Sequence, residues 1–194
     1  MIGIVLCTTP MKLHLETDYD IIYATWRLHM VTPTDRIEKK ILLRAPQDRV
    51  WRAISDPKQF GSWFGVEFES NFVAGARIIG RIVPTKVDAE VARTQEPYAG
   101  TSFEFILDRV EPMRLFSFRW HPFAIDPDID YSKEPMTIVA CELEEVPDGT
   151  MLTITESGFD CIPLARRAQA FAANEQGWLA QTQLIEKYLT LAAE

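Results

Sequence analysis

The chain has 194 residues, of which 47% are hydrophobic and 25% charged, with a formal net charge of -8. That is apolar material enough for one sizeable core, in a composition ordinary for a globular protein. The acidic balance excludes a phosphate-gripping nucleic-acid surface and a polybasic membrane anchor, and no apolar run approaches the ~20 residues needed to span a bilayer.

Three cysteines (Cys7, Cys141, Cys161) and three histidines (His14, His29, His121) are widely scattered. Such a set suits neither a disulfide framework nor a zinc site, so no metal and no cofactor is expected. The thiols are expected to be reduced, in a cytoplasm. The apolar start "MIGIVLCTTP" lacks a basic leader and a small-residue cleavage site, so it does not read as a secretory signal. Residues 1–34 are expected to be an extension ahead of the domain proper, which runs from 35 to 194. Two readings of the first 29 residues stand. They come from an over-extended gene start, with Met30 as the natural one, or they add a strand or patch cover through Ile21, Ile22, Tyr23 and Trp26.

The regular signals begin at Arg36. "RIEKKILL" reads as a strand, and Pro46 then sits at the first turn of a helix in which Val50, Trp51 and Ile54 recur. Asp56-Pro57 ends that helix and starts a second short one, with Asp56 as its cap. A β region follows. "VEFESNF" and "GARIIGRIV" come first, the latter with Gly80 as a bulge or close approach. Next comes "GTSFEFILDRVEP", with Phe103, Phe105 and Leu107 in one phase. "RLFSFRWHP" has Phe116, Phe118 and Trp120 in one phase. "MTIVACELEEV" and "TMLTITESGF" are joined by Pro147-Asp148-Gly149, a hairpin signal. Pro163 to Ala193 reads as one long helix. Its stripe is Leu164, Ala168, Phe171, Glu175, Trp178, Thr182, Ile185 and Leu189.

The order predicts an α+β fold: a strand, two short helices, six further antiparallel strands and a long helix covering the sheet. In a meander every second connection falls at the same end. The two long ones, 84–98 and 121–135, therefore meet at one rim, together with the approach to the last helix at 158–163. That rim is where a pocket mouth is expected.

The segments "EKKILLRAPQDRVWRAISDPKQFGSWF", "AGARI", "RLFSFRW", "ESGF" and "GWLAQTQLIEKYL" occur in the order found in homologues of the activator of the 90-kDa heat-shock-protein ATPase. From about Asp35 to Leu191 the chain resembles that family, part of the START-like or SRPBCC superfamily. The resemblance implies a helix-grip fold, in which a curved sheet of about seven strands wraps a C-terminal helix with a cavity between them. It also implies a stress-response or chaperone-linked role, while other superfamily members bind hydrophobic molecules or cyclise polyketides. The eukaryotic activator carries an additional N-terminal domain with a basic motif, which nothing here matches.

The cavity wall is expected from Phe103, Phe105, Phe116, Phe118, Trp120, Phe171 and Trp178, with Glu175 the first polar group to examine. Arg81, His121, Glu142 and Glu156 are further polar candidates. A carboxylate on an apolar stripe is costly to bury unless partnered, and water is the alternative environment for Glu175. His121 would be a general base only with a converging carboxylate, Glu142 or Glu156. No catalytic residue is assigned, and the reading leans away from an enzyme. Arg119 and Glu104 are expected to pair across strands. Asp126, Asp128 and Asp130 read as a solvated acidic loop, because the glycine and distal glutamate of a calcium loop are missing. Three functions remain, in this order: binding of a small hydrophobic molecule, a co-chaperone-like interaction with a chaperone partner, and an enzyme of the cyclase or hydrolase type that would need His121 to converge with Glu142 or Glu156.

Overall fold

The computed structural model describes residues 35–126 and 128–191. The expectations for residues 1–34, including the gene-start reading, lie outside them.

Seven antiparallel strands form one sheet: β1 (Arg36–Leu43), β2 (Val66–Phe68), β3 (Arg77–Ile82), β4 (Ser102–Glu111), β5 (Leu115–Trp120), β6 (Thr137–Val146) and β7 (Gly149–Ser157). Their order is β1-β7-β6-β5-β4-β3-β2, so β2 to β7 are a meander and β1 returns to pair with β7. Helices α1 (Gln47–Ser55) and α2 (Pro57–Phe64) link β1 to β2, and the long α4 (Leu164–Leu191) closes the chain.

Local chemistry sets the boundaries. Asp56 caps α2 by accepting from the amides of Lys58 and Gln59, with Pro57 at the first helical position. Gly65 ends the same helix at φ 89°, a left-handed backbone that a side chain would strain. Gly80 answers a close approach. A Cβ there would lie 2.8 Å from the Phe103 ring and 2.9 Å from Val66.

A third short helix, α3 (Ala89–Gln95), stands in the connection expected to be a plain loop. Asp88 caps it through the amides of Glu90 and Val91, and also pairs with Lys187 at 2.9 Å. Aspartate just before "AEVARTQ" was the available signal.

The alternation in β4 holds through Leu107. A bulge then shifts the register between Leu107 and Arg109. The expected Arg119–Glu104 pair does not form. Arg119 faces Ile106 and pairs with the bulged Asp108 at 3.2 Å, while Glu104 pairs with Arg77.

The core lies between the inner sheet face and the helices. Phe60, lowered onto the sheet by α2, is ringed by Phe105, Phe116 and Phe118 at 6.2–6.4 Å between centroids. Phe105 and Phe118 stack at 4.1 Å and 13°. Among the described residues no helix is long and apolar enough to cross a membrane.

Candidate functional site

The two long connections, 83–101 and 121–136, both reach one cavity of about 320 Å³. The first contributes Gln95, Tyr98 and Thr101, and the second His121, Phe123, Ala124 and Ile125. Helix α4 closes the cavity with Ala173, Asn174, Gly177, Trp178 and Gln181, and the sheet and α2 add Phe64, Phe103 and Trp120. Trp120 and Trp178 lie 5.7 Å apart at 44°, and Phe64 sits 6.3 and 6.1 Å from them.

Both indoles are held by one carboxylate. Glu156 stands on the inner phase of β7, after Leu152 and Ile154, and is fully buried. Its Oε1 accepts from Trp120 Nε1 (2.8 Å), Thr137 Oγ1 (2.6 Å) and Asn174 Nδ2 (2.9 Å). Its Oε2 accepts from Trp178 Nε1 (2.6 Å) and Asn174 Nδ2 (3.0 Å). Neutral donors thus replace the water a buried carboxylate would otherwise lose. The hub fixes the angle at which the two indoles face the cavity.

Helix α4 turns a different face inward from the one its hydrophobicity suggests. Trp178, Thr182, Ile185 and Leu189 are buried as expected. Towards the N-terminus, however, the buried positions are Arg166, Ala170 and Asn174, not Leu164, Ala168, Phe171 and Glu175. Leu164 is 81% exposed. Arg166 and Asn174 can go inside because each meets a carboxylate, Glu134 and Glu156 respectively. An apolar stripe cannot register such partnered positions.

Of the aromatic residues expected on the wall, Phe103, Trp120 and Trp178 line this cavity. Phe105, Phe116 and Phe118 lie behind it in the core, covered by Phe60. Phe171 is half-buried and packs edge-on against Phe159 at 5.0 Å, away from the lining. Glu175 is exposed outside the cavity and reaches Lys39 at 3.4 Å. Arg81 is also exposed, 3.9 Å from Glu69, in a separate and more polar surface groove. Glu142 is exposed on the outer face of β6. Of the polar candidates, His121 lines the cavity and Glu156 lies behind its indoles. Neither Glu142 nor Glu156 hydrogen-bonds His121.

Sequence reasoning missed Gln181, Gly177 and Phe64 as lining residues. Gln181 donates its Nε2 to the Phe64 carbonyl at 3.2 Å, and Gln95 Nε2 donates to the same oxygen at 3.1 Å. That orients the Gln181 amide and leaves its Oε1 buried with no donor among the described residues. Nδ1 of His121 is likewise buried and unpartnered.

Gly177 opens onto free space. A Cβ there would meet nothing within 4 Å, and the residue is exposed at the cavity edge. Glycine inside a helix costs about 1 kcal/mol relative to alanine. Gly177→Ala is therefore expected to stabilise the protein by about 0.5–1 kcal/mol, read as a higher urea midpoint at unchanged slope.

Burial lowers the pKa of His121 below its ordinary value of 6.5, and Arg166 adds to this, while Glu104, Glu134 and the Pro135 backbone partly offset it. The folded state therefore holds the neutral ring where the unfolded chain takes up a proton. The sign follows: stability is full above about pH 6.5 and falls as pH drops below it. Urea midpoints at pH 7.5 and 5.5 should differ in the wild type, and the difference should shrink in His121→Gln.

These features define a helix-grip domain with an aromatic cavity at its long-loop rim. The chain belongs to the family described as Activator of Hsp90 ATPase homolog 1-like protein, whose sequence model matches residues 44–190. Similar solved structures include protein MLL2253 from Mesorhizobium loti, at 20% identity and a TM-score of 0.58, covering 80% of this chain and 96% of that one. Protein Ms6760 from Mycobacterium smegmatis is 16% identical with a TM-score of 0.60, over 82% of this chain and 93% of that one. At these identities the likeness is one of fold. DynU16, a putative protein in the dynemicin biosynthetic locus, is 26% identical with a TM-score of 0.56. The match covers 81% of this chain but 48% of DynU16. No curated protein matches the chain.

Proposed function

We propose that the protein binds a small hydrophobic molecule in the cavity between α4, the inner sheet face and the two long connections. The observation that carries the reading is the wall of Phe64, Phe103, Trp120 and Trp178 around about 320 Å³ that side chains leave unfilled. That volume falls at the low end of the ~300–1,000 Å³ of small-molecule sites. The indoles are rigidly held by Glu156, so the wall is preformed and little ordering cost attends occupation. The protein would act in the cytoplasm, where thiols stay reduced. Cys141 is buried, which pushes its pKa up to about 12 and leaves it unreactive.

The test is native mass spectrometry of protein purified from its own host, followed by thermal shift with whatever is released. A bound mass that raises stability by about 2.7 kcal/mol at a hundred times its Kd supports the reading. Protein that arrives without adducts and responds to no member of a hydrophobic library argues against it. Family membership favours a second reading, a co-chaperone-like contact with the 90-kDa chaperone. Stimulation of that chaperone's ATPase by the intact protein, unchanged when the cavity is blocked, would favour the second reading over the first.

A further inference from the structure

Among the described residues that line the cavity there is no Asp, Glu, Lys or Arg. The nearby carboxylate, Glu156, is screened by Trp120, Asn174 and Trp178, and all of these donors are committed to it. An ionised group placed here would lose its hydration without gaining a counter-charge, which is costly in an apolar site. The occupant's buried part must therefore be neutral.

The polar atoms that remain are specific. Gln181 Oε1 can only accept a hydrogen bond and has no donor. Among the described residues, His121 Nδ1 is the other buried side-chain atom without a partner. Both belong to lining residues but are themselves shielded from solvent, so each side chain must turn for its acceptor to meet a guest. A buried acceptor left unsatisfied costs free energy that a ligand donor would recover. The rest of the wall is mostly apolar, with Phe64, Phe103, Trp120 and Trp178 among its large rings.

Gly177 supplies the third constraint. It lies between Ala173 and Gln181 on the lining face of α4, and it opens onto space rather than onto packed atoms. Any longer side chain at 177 would project from the helix at the cavity edge. The bare backbone, not a packing demand, is what glycine provides here.

Building on the ligand-binding reading above, we propose that the occupant is a neutral, aromatic-bodied molecule carrying one hydroxyl or N–H donor. The donor is received at Gln181, with His121 as the second acceptor on the wall, and the ring system enters where Gly177 leaves α4 bare. Gly177 then sets the size of what is admitted, and Gln181 sets the preference for a donor.

Three probes of near-equal shape test this by calorimetry at pH 7.5: naphthol, methylnaphthalene and ionised naphthoate. Naphthol is expected to bind best, with naphthoate at least tenfold weaker and methylnaphthalene several-fold weaker. Gln181→Leu should bring naphthol and methylnaphthalene together while leaving methylnaphthalene affinity within about twofold. Retention of methylnaphthalene also shows that the variant is folded. Gly177→Leu should weaken all neutral probes at least tenfold, whereas Gly177→Ala should keep most of the binding. Naphthoate binding as tightly as naphthol, or Gly177→Leu binding like wild type, overturns the inference while the ligand-binding reading survives. Wild type that binds none of the three also overturns the inference, and the adduct and library test above then decides the ligand-binding reading separately.

Discussion

Glu156→Gln is expected to lower the melting temperature by roughly 4–12 °C, although it changes one oxygen to an amide of the same shape. Each carboxylate oxygen faces a Trp N–H: Oε1 faces Trp120 and Oε2 faces Trp178. Indole N–H and the Asn174 amide N–H only donate. A glutamine amide can flip, but either orientation sets its own NH2 against one of the indoles and against Asn174 Nδ2, which bonds both oxygens. At about 1–3 kcal/mol for each buried donor left without an acceptor, the loss is about 2–3 kcal/mol. For a chain of this size each kcal/mol shifts the melting temperature by roughly 2–4 °C. Glu156→Ala should be worse, because it leaves both indoles and Asn174 unserved, leaves Thr137 only its longer bond to the Trp120 carbonyl, and opens a void. The near-ultraviolet circular dichroism of Trp120 and Trp178 should change in both variants. A Glu156→Gln protein that melts like wild type with unchanged tryptophan signals would show that the carboxylate is not needed as the common acceptor.

The residues of this hub explain which parts of the site could be read from the sequence. The phase Leu152, Ile154, Glu156 is visible in the strand pattern, and it places the carboxylate on the inner face. The meander rule likewise brings both long connections to one rim, where the cavity lies. What the pattern hides is pairing. Asn174 reads as a surface residue on a helix until the opposing glutamate is known, so the eye moves one position on, to Glu175, which in fact reaches out to Lys39. The same blindness affects the aromatic strand faces. Phe103 and Phe105 share a phase on β4, yet Phe60 and its helix cover the second and leave the first on the cavity wall. Periodicity tells which face a residue is on, and only the docking of other elements tells what lies over it.

Arg166→Leu is expected to cost about 3 kcal/mol and to loosen the connection between β5 and β6. Arg166 is 8% exposed, and its guanidinium contacts are all to that connection. Nε and Nη2 donate to Glu134 Oε2 at 2.9 and 2.6 Å, and Nη1 donates to the carbonyls of Pro122 and Phe123 at 2.9 and 3.4 Å. Its face lies 4.9 Å from the centre of the Tyr131 ring. Removing one partner of a buried pair costs about 3–5 kcal/mol because the other charge is stranded. The 14% exposure of the Glu134 side chain lets some water reach it and holds the loss near the lower end. Phe123 makes the local consequence sharper. Its φ of 50° is a left-handed backbone, which a bulky residue holds only when its surroundings impose it. Without Arg166 the carbonyls on either side of the Pro122–Phe123 step lose their donor, and the step is free to relax. Amide exchange across 121–136 should then accelerate while β6 and β7 remain protected. Arg166→Lys should recover part of the stability but not the exchange protection, since one ammonium cannot span Glu134 and two carbonyls as the planar fork does. Phe123, Ala124 and Ile125 are cavity wall, so the ion pair sits outside the cavity yet holds one side of it in place. Equal exchange rates in wild type and Arg166→Leu would show that the connection keeps its shape by its own packing.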